Sequence, residues 1–279
     1  TQLGVNTDTG LQEIRGNSPC LPADAKPLDM LLIQPGTFTM GSPDENDGHL
    51  IPQHQVTITT SYYIGKYEVT QAQWEAVMGN NPSYCAGNPN HPVEQVSWDN
   101  CTQFTKTLSE MRLGMFRLPT SAEWEYACRA GTTTRFYWGD DANETEIDKY
   151  AWYGDRSESA QTHEVGLKLP NAFALFDAVG NVIEWCSDSW APYTDSPQTD
   201  PQGPEQGTGQ YVIRGGGYTS PTQYCRSAWR TAAWHDKGAT YYGLRVVRLV
   251  DEEASPTPTP TLRPSDTPTD TPTPTQTST

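Results

Sequence analysis

Long apolar runs are missing from this 279-residue chain. Nowhere do about 18 hydrophobic residues follow one another, so no stretch is expected to cross a bilayer as a helix. The opening TQLGVNTDTG has neither the basic start nor the apolar centre of a secretory leader. Basic residues are scarce: 18 Lys and Arg stand against 34 Asp and Glu, a net charge of -16, which repels phosphate backbones and argues against nucleic acid or anionic membrane surfaces as partners. None of the five histidines shows HxxxH or HExxH spacing, and GxSxG, Walker and GxGxxG signatures are absent, which removes zinc-protease, hydrolase and nucleotide-binding readings. No CxxC occurs among Cys20, Cys85, Cys101, Cys128, Cys186 and Cys225, and an even set without that spacing fits disulfides better than zinc or a redox pair.

What is present divides the chain in three. Residues 1–27 are polar and irregular and read as an arm over the surface. Residues 28–250 carry the apolar periodicity of one large domain. Residues 251–279 are dominated by Thr, Pro and Ser, too poor in apolar surface to fold, and are expected to be a disordered linker or stalk tethering the domain to a further domain, wall or membrane. With the cysteine pattern, that tail predicts an extracytoplasmic address.

Apolar runs broken by Pro35-Gly36 predict two strands in LLIQPGTFTMGS, and QVTITTSYYIGKYEVT predicts one or two more. Three helices follow from capping chemistry. Thr70 with Gln73 opens the first, which Gly79 closes. Ser97 with Asn100 opens the second, with Cys101, Phe104, Thr105 and Leu108 on one face. Thr120 with Glu123 opens the third, and Gly131 is expected to end it. Beyond Gly131 only short strands and long loops are expected.

The blocks GTFTMGS (36–42), YYIGKYEVTQAQWEAVMG (62–79), HPVEQVSWDNC (91–101), FRLPTSAEWEYACRAG (116–131), PNAFALFDAVGNVIEWCSDSW (170–190), VIRGGGY (212–218), CRSAWR (225–230) and GLRVVR (243–248) resemble the formylglycine-generating enzyme family, the sulfatase-modifying factor domains. The resemblance covers about residues 28–250, and its RLPTxAEWEYA and GNVxEWC blocks are specific. It implies an α+β fold, an elaborated C-type-lectin-like domain poor in regular structure. It also implies either of two functions: oxidation of a sulfatase cysteine to formylglycine, by copper held between two cysteine thiolates, or a binding or accessory role without that chemistry. Soft Cu(I) needs both sulfurs. Here the corresponding interval, TSPTQYC (219–225), holds Cys225 alone. Counting forward from Tyr218 puts Ser220 and Cys225 at the pair's positions; counting back from Arg226 and Arg230 puts Cys225 outside both. No copper is therefore expected, and the non-catalytic role is the preferred reading, with a divergent oxidase as its rival and a tethered sensor module as a third.

From the same resemblance, DAVGNVIE (177–184) is expected to hold a structural Ca²⁺ through Asp177, the carbonyls of Gly180 and Val182, and Glu184; the competing expectation is that the two acids cap a turn or pair with arginine. The family's other calcium site is not clearly matched in YAWYGDRSESA. Cys186 and Cys225 are expected to form a disulfide, with Cys101–Cys128 a second pair and Cys20–Cys85 a weaker third. Arg214, Arg226, Arg230 and Arg245 could form an anion-binding site, but the preferred reading is buried donors holding loops together. The ligand face for a protein, peptide or glycan is expected at residues 218–242, through Tyr218, Thr219, Ser220, Gln223, Tyr224 and Trp229, with Trp234, His235 and Tyr241.

Overall fold

The computed structural model describes residues 5–7, 21–43, 48–155, 160–205 and 207–250. Cys20, most of the N-terminal arm and the whole 251–279 tail lie outside the described residues. The architecture is α+β, as expected, with three small sheets and three α-helices among the described residues.

The largest sheet has β1 (Val5–Thr7), β2 (Leu28–Ile33), β5 (Tyr62–Gly65), β12 (Val247–Leu249) and β6 (Phe116–Arg117) side by side in that order. A second sheet pairs β3 (Gly36–Met40) with β4 (His54–Ile58) antiparallel and adds β8 (Gln198–Thr199) parallel to β4. A third has the order β10 (Arg230–Trp234), β9 (Gln210–Arg214), β7 (Ile183–Ser189) and β11 (Tyr242–Gly243). Pro35-Gly36 does separate β2 from β3, but the two strands enter different sheets instead of pairing.

Each helix starts where its cap predicts. Thr70 and Gln73 form a reciprocal capping box on α1 (Gln71–Met78), and Gly79 closes it at φ 75°. Ser97 and Asn100 do the same for α2 (Trp98–Glu110), whose Cys101, Phe104, Thr105 and Leu108 are all buried. Thr120 and Glu123 cap α3 (Ser121–Arg129). Its end differs from expectation by one residue: Ala130 itself takes the left-handed cap at φ 45°, and Gly131 continues the reversal at φ 91°.

Two apolar cores result. One gathers Leu28, Val69, Trp74, Cys101, Phe104, Leu108, Trp185 and Ile213 beneath α1 and α2. The other gathers Ile33, Val56, Ile64, Trp124, Cys128, Cys186 and Cys225 around α3. Strand alternation feeds both: on β7, Ile183 and Trp185 enter the first core and Cys186 the second.

This layout overturns the expected disulfides. Cys85, Cys101, Cys128, Cys186 and Cys225 are all free thiols. Cys101 and Cys128 lie in different cores, so no bridge can join them without moving the helices. Cys186 follows the Trp185↔Ile213 pair, opposite the middle of β9, whereas the Cys225 sulfur lies 3.3 Å from where a Cβ on Gly216 would stand, beyond the end of that strand. The Cys20–Cys85 expectation involves a residue outside the described set, and Cys85 is a thiol.

Candidate functional site

β9 ends at Arg214, and Gly215 and Gly216, at φ 94° and 69°, turn the chain sharply out of the sheet. A Cβ on Gly216 would stand 3.0 Å from the Tyr224 backbone, so only glycine lets the following loop fold back this tightly. That loop closes on itself: the Gly217 N–H donates to Ser220 Oγ at 2.9 Å, and the Ser220 N–H to the Gly217 carbonyl at 2.8 Å. A short 3-10 turn over Thr222–Cys225 then leads to Trp229 and β10.

Between this loop and β11 lies a cleft of 480 Å³. Five expected ligand-face residues line it: Thr219, Ser220, Tyr224, Trp229 and Tyr241. Thr231 and Tyr242 complete the polar and aromatic wall, and Ile183 and Ile213 form part of the apolar lining. Tyr224 and Trp229 stack with centroids 4.7 Å apart, while Tyr241 and Tyr242 meet edge to face at 5.0 Å. Trp229 is only 5% exposed, so it is core plug and cleft wall together.

Four expected residues are elsewhere. Tyr218 is buried on the other side of its loop, its phenol hydrogen-bonded to Thr240 and Cys85, and burial raises its pKa. Gln223 points to solvent and contributes its carbonyl to Arg226 Nε at 2.7 Å. Trp234 and His235 sit at the far end of β10, His235 Nδ1 lying 2.7 Å from Asp99 Oδ2. The cleft also recruits His49 and Pro221, which sequence reasoning did not select. His49 comes from a distant segment, and its carbonyl accepts from Arg230 Nε at 2.9 Å. No local pattern around His49 announces that.

No sulfur lines the cleft among the described residues. Cys225 is fully buried, and burial pushes its thiol up to about 12. Ser220, in contrast, lines the cleft.

The 177–184 loop is an acidic knot around one cation. Arg245 holds both Glu184 oxygens through Nε, at 3.1 and 3.2 Å, and Glu184 Oε1 through Nη2 at 2.8 Å. It also donates to the carbonyls of Gly65, Phe176 and Asp177. Trp124 Nε1 donates to Glu184 Oε2 at 2.7 Å. Glu184 thus pairs with arginine, the alternative to the calcium expectation. Asp177 is different: the Gly166 N–H donates to Oδ2 at 2.6 Å, but buried Oδ1 has no hydrogen-bond partner among the described residues. Burial lifts Asp177 to about 6. Glu68, not singled out in the sequence, is fully buried beside them, accepting from Asn181 Nδ2 at 2.7 Å and the Val182 N–H at 3.0 Å. Burial, then the Asp177 and Glu184 charges, raise its pKa well above the carboxylate range. Among the described residues no three His, Cys, Asp or Glu side chains converge on one metal-sized point, so any cation here needs backbone carbonyls as well.

The other arginines hold loops, as read from the sequence. Glu125 bridges Arg129 at 2.8 Å and Arg214 at 3.0 Å, all three buried. Arg230 lies against the Tyr193 ring at 3.4 Å and donates to the Ala191 carbonyl at 2.8 Å.

Comparison with known proteins agrees with this geometry. The family model described as the sulfatase-modifying factor enzyme 1-like domain matches residues 19–250. The formylglycine-generating enzyme of Streptomyces coelicolor is 36% identical over 197 residues, 66% of this chain and 60% of that enzyme, so the chain matches less than two thirds of its relative's length. Among solved structures, Treponema denticola variable protein 1 superposes with a TM-score of 0.72 at 31% identity, covering 78% of this chain and 94% of that one. PvdO from Pseudomonas aeruginosa gives 0.68 at 28% identity, covering 79% and 94%.

Proposed function

This chain belongs to the sulfatase-modifying factor enzyme 1-like domain family, and from that premise we propose that it is a non-catalytic ligand-binding or accessory domain whose ligand occupies the Tyr224–Trp229–Tyr241 cleft. One observation carries the reading. The interval where an oxidase of this family would place two thiolates offers Ser220 to the cleft and seals Cys225 in the core. A serine hydroxyl stays protonated near neutral pH and is a poor ligand for Cu(I), and a buried thiol with a pKa of about 12 supplies no thiolate. Rigid rings and short hydroxyls instead give contact area and adaptable hydrogen bonding at low entropic cost. The ligand is a protein, peptide or glycan, and the Thr/Pro-rich residues after 254 support an extracytoplasmic, tethered setting. The test is incubation of the purified chain with Cu(I) and a sulfatase-type cysteine peptide, read by mass spectrometry for the aldehyde. No conversion is expected; turnover at a relative's rate would restore the oxidase reading.

The reading includes a structural Ca²⁺ at the 177–184 loop. The donor chemistry fits: Asp177 Oδ1 is a buried oxygen without a partner among the described residues, and Glu68, Asp177 and Glu184, if all ionised, exceed Arg245 by two negative charges, which a dication balances. Asp177, the Gly180 and Val182 carbonyls and Glu184 would hold it, with Glu184 shared with Arg245. When bound, the ion would neutralise the knot and fix the loop that leads into β7. Calcium at 100 times its Kd should stabilise the chain by about 2.7 kcal/mol. A melting temperature several degrees higher in calcium than in EDTA is expected, with the difference abolished in Asp177→Asn.

A further inference from the structure

The cleft has a chemical character that its family membership does not dictate. Although the chain carries a net charge of -16, no Asp, Glu, Lys or Arg side chain among the described residues lines this cleft. Its walls are aromatic: Tyr224, Trp229, Tyr241 and Tyr242. The phenols of Tyr224, Tyr241 and Tyr242 make no hydrogen bond to another described residue, so they are donors waiting for acceptors. Thr219 and Thr231 add hydroxyls beside them.

An uncharged wall of rings and hydroxyl donors suits an extended proline-rich strand. Polyproline II makes no internal hydrogen bonds, so its carbonyls face outward as acceptors. Proline rings pack on aromatic faces, and the stiff conformer loses little entropy on docking. The chain contains such a segment. Residues 255–261 read SPTPTPT, with proline at every second position from Pro256 to Pro260 and no charge between Glu253 and Arg263. It can reach. Tyr242 lines the cleft and Leu249 ends β12, so the chain between them spans at most roughly 25 Å, while the stretch from Leu249 to Pro258 extends to roughly 30 Å.

We propose that residues 255–261 dock into the cleft of their own domain, so that the Pro/Thr segment is an intramolecular occupant that any external ligand must displace. This rests on reading the cleft as the ligand face and adds who occupies it first. A neutral glycan would also match rings and hydroxyls, but the charge-free prolines within reach favour the peptide.

The test is ¹⁵N relaxation on the full chain, read at the Thr257 and Thr259 amides. Docking predicts order parameters near the rigid-backbone value of about 0.85; a free tail gives values below about 0.6. In the triple variant P256A/P258A/P260A, which leaves the domain untouched, the Thr257 and Thr259 values should fall below about 0.6. Tyr241→Ala and Tyr224→Ala should release the tail in the same way. Low values in the unmodified chain overturn the proposal, as does order that survives both tyrosine variants, which places the tail elsewhere. Order that grows with protein concentration also overturns it, assigning the tail to a second copy. A neutral oligosaccharide that shifts the Trp229 signal while the tail amides stay mobile overturns the tail docking and leaves the cleft's ligand reading standing.

Discussion

Cys85 is half-buried, whereas Cys101, Cys128, Cys186 and Cys225 have no solvent exposure. Burial raises the pKa of each of those four, to about 12 for Cys128 and Cys225, so they are neither reachable nor ionised. Among the described cysteines a thiol reagent should therefore find one fast site, Cys85, in the native state. In a Cys20→Ser background, which removes the one cysteine outside the described residues, that site should vanish on Cys85→Ser, and the four buried thiols should react only after unfolding. A second native-state thiol in that background would mean that one of the cores is open. Residue chemistry also identifies a damaging single change. Burial alone would raise the Glu125 carboxyl, but Arg129 and Arg214, with the Gly41 N–H, hold it below its usual value. Glu125→Ala would leave two guanidinium ions buried without their counter-charge and should cost about 3–5 kcal/mol in a denaturant titration.

At the scale of elements, the caps carry the argument. In α2 the Asn100 N–H donates to Ser97 Oγ at 3.2 Å and the Ser97 N–H to Asn100 Oδ1 at 3.1 Å. Ser97→Ala removes one half of the box and should destabilise the chain by about 1 kcal/mol, whereas Ser97→Asp should keep most of the native value; urea midpoints decide it. Reciprocal caps such as Ser97–Asn100 and Thr120–Glu123 depend on residues three apart, which is why all three helix starts were legible in the sequence. Long-range choices were not. Nothing within LLIQPGTFTMGS says that β2 will pair with β5 and β3 with β4. Nor does anything near Cys186 say that it will lie opposite the middle of β9 while Cys225 sits beyond that strand's end; an even cysteine count looked like crosslinks, while close packing in two cores needed only thiols. The cleft was half legible for the same reason. Thr219, Ser220 and Tyr224 are neighbours in sequence, but Tyr218 is turned to Thr240 and Cys85 by its backbone, and His49 arrives through a contact with Arg230.

The whole molecule's response to pH follows from its buried acids. Burial pushes Glu94 up to about 7, against the Cys85 N–H bond that lowers it, and Asp188 to about 6, against the Ser121 N–H. A carboxyl whose folded pKa lies above its unfolded one binds its proton more tightly in the native state. Between the two values the folded chain holds protons that the unfolded chain has released, so stability falls as pH rises through that window. For Glu94 the window runs from the ordinary glutamate value of 4.5 to about 7, and for Asp188 from 3.8 to about 6. Glu125 acts in the opposite sense: its folded pKa lies below the ordinary value, so its contribution is complete above 4.5 and is lost only as pH falls below that. The net charge of -16 adds self-repulsion on the same alkaline side. Maximum stability should thus lie near pH 5, with the melting temperature declining from there towards pH 8. Glu94→Gln keeps an acceptor for the Cys85 N–H and abolishes the titration, so it should match the unmodified chain below pH 4.5 and exceed it by about 1–2 kcal/mol at pH 8 once water screening is allowed for. Thermal melts of both proteins at half-unit steps, repeated in 0.5 M salt to suppress the surface term, separate the two causes: a decline that salt removes belongs to net charge, and a decline that only Glu94→Gln removes belongs to the buried carboxyl.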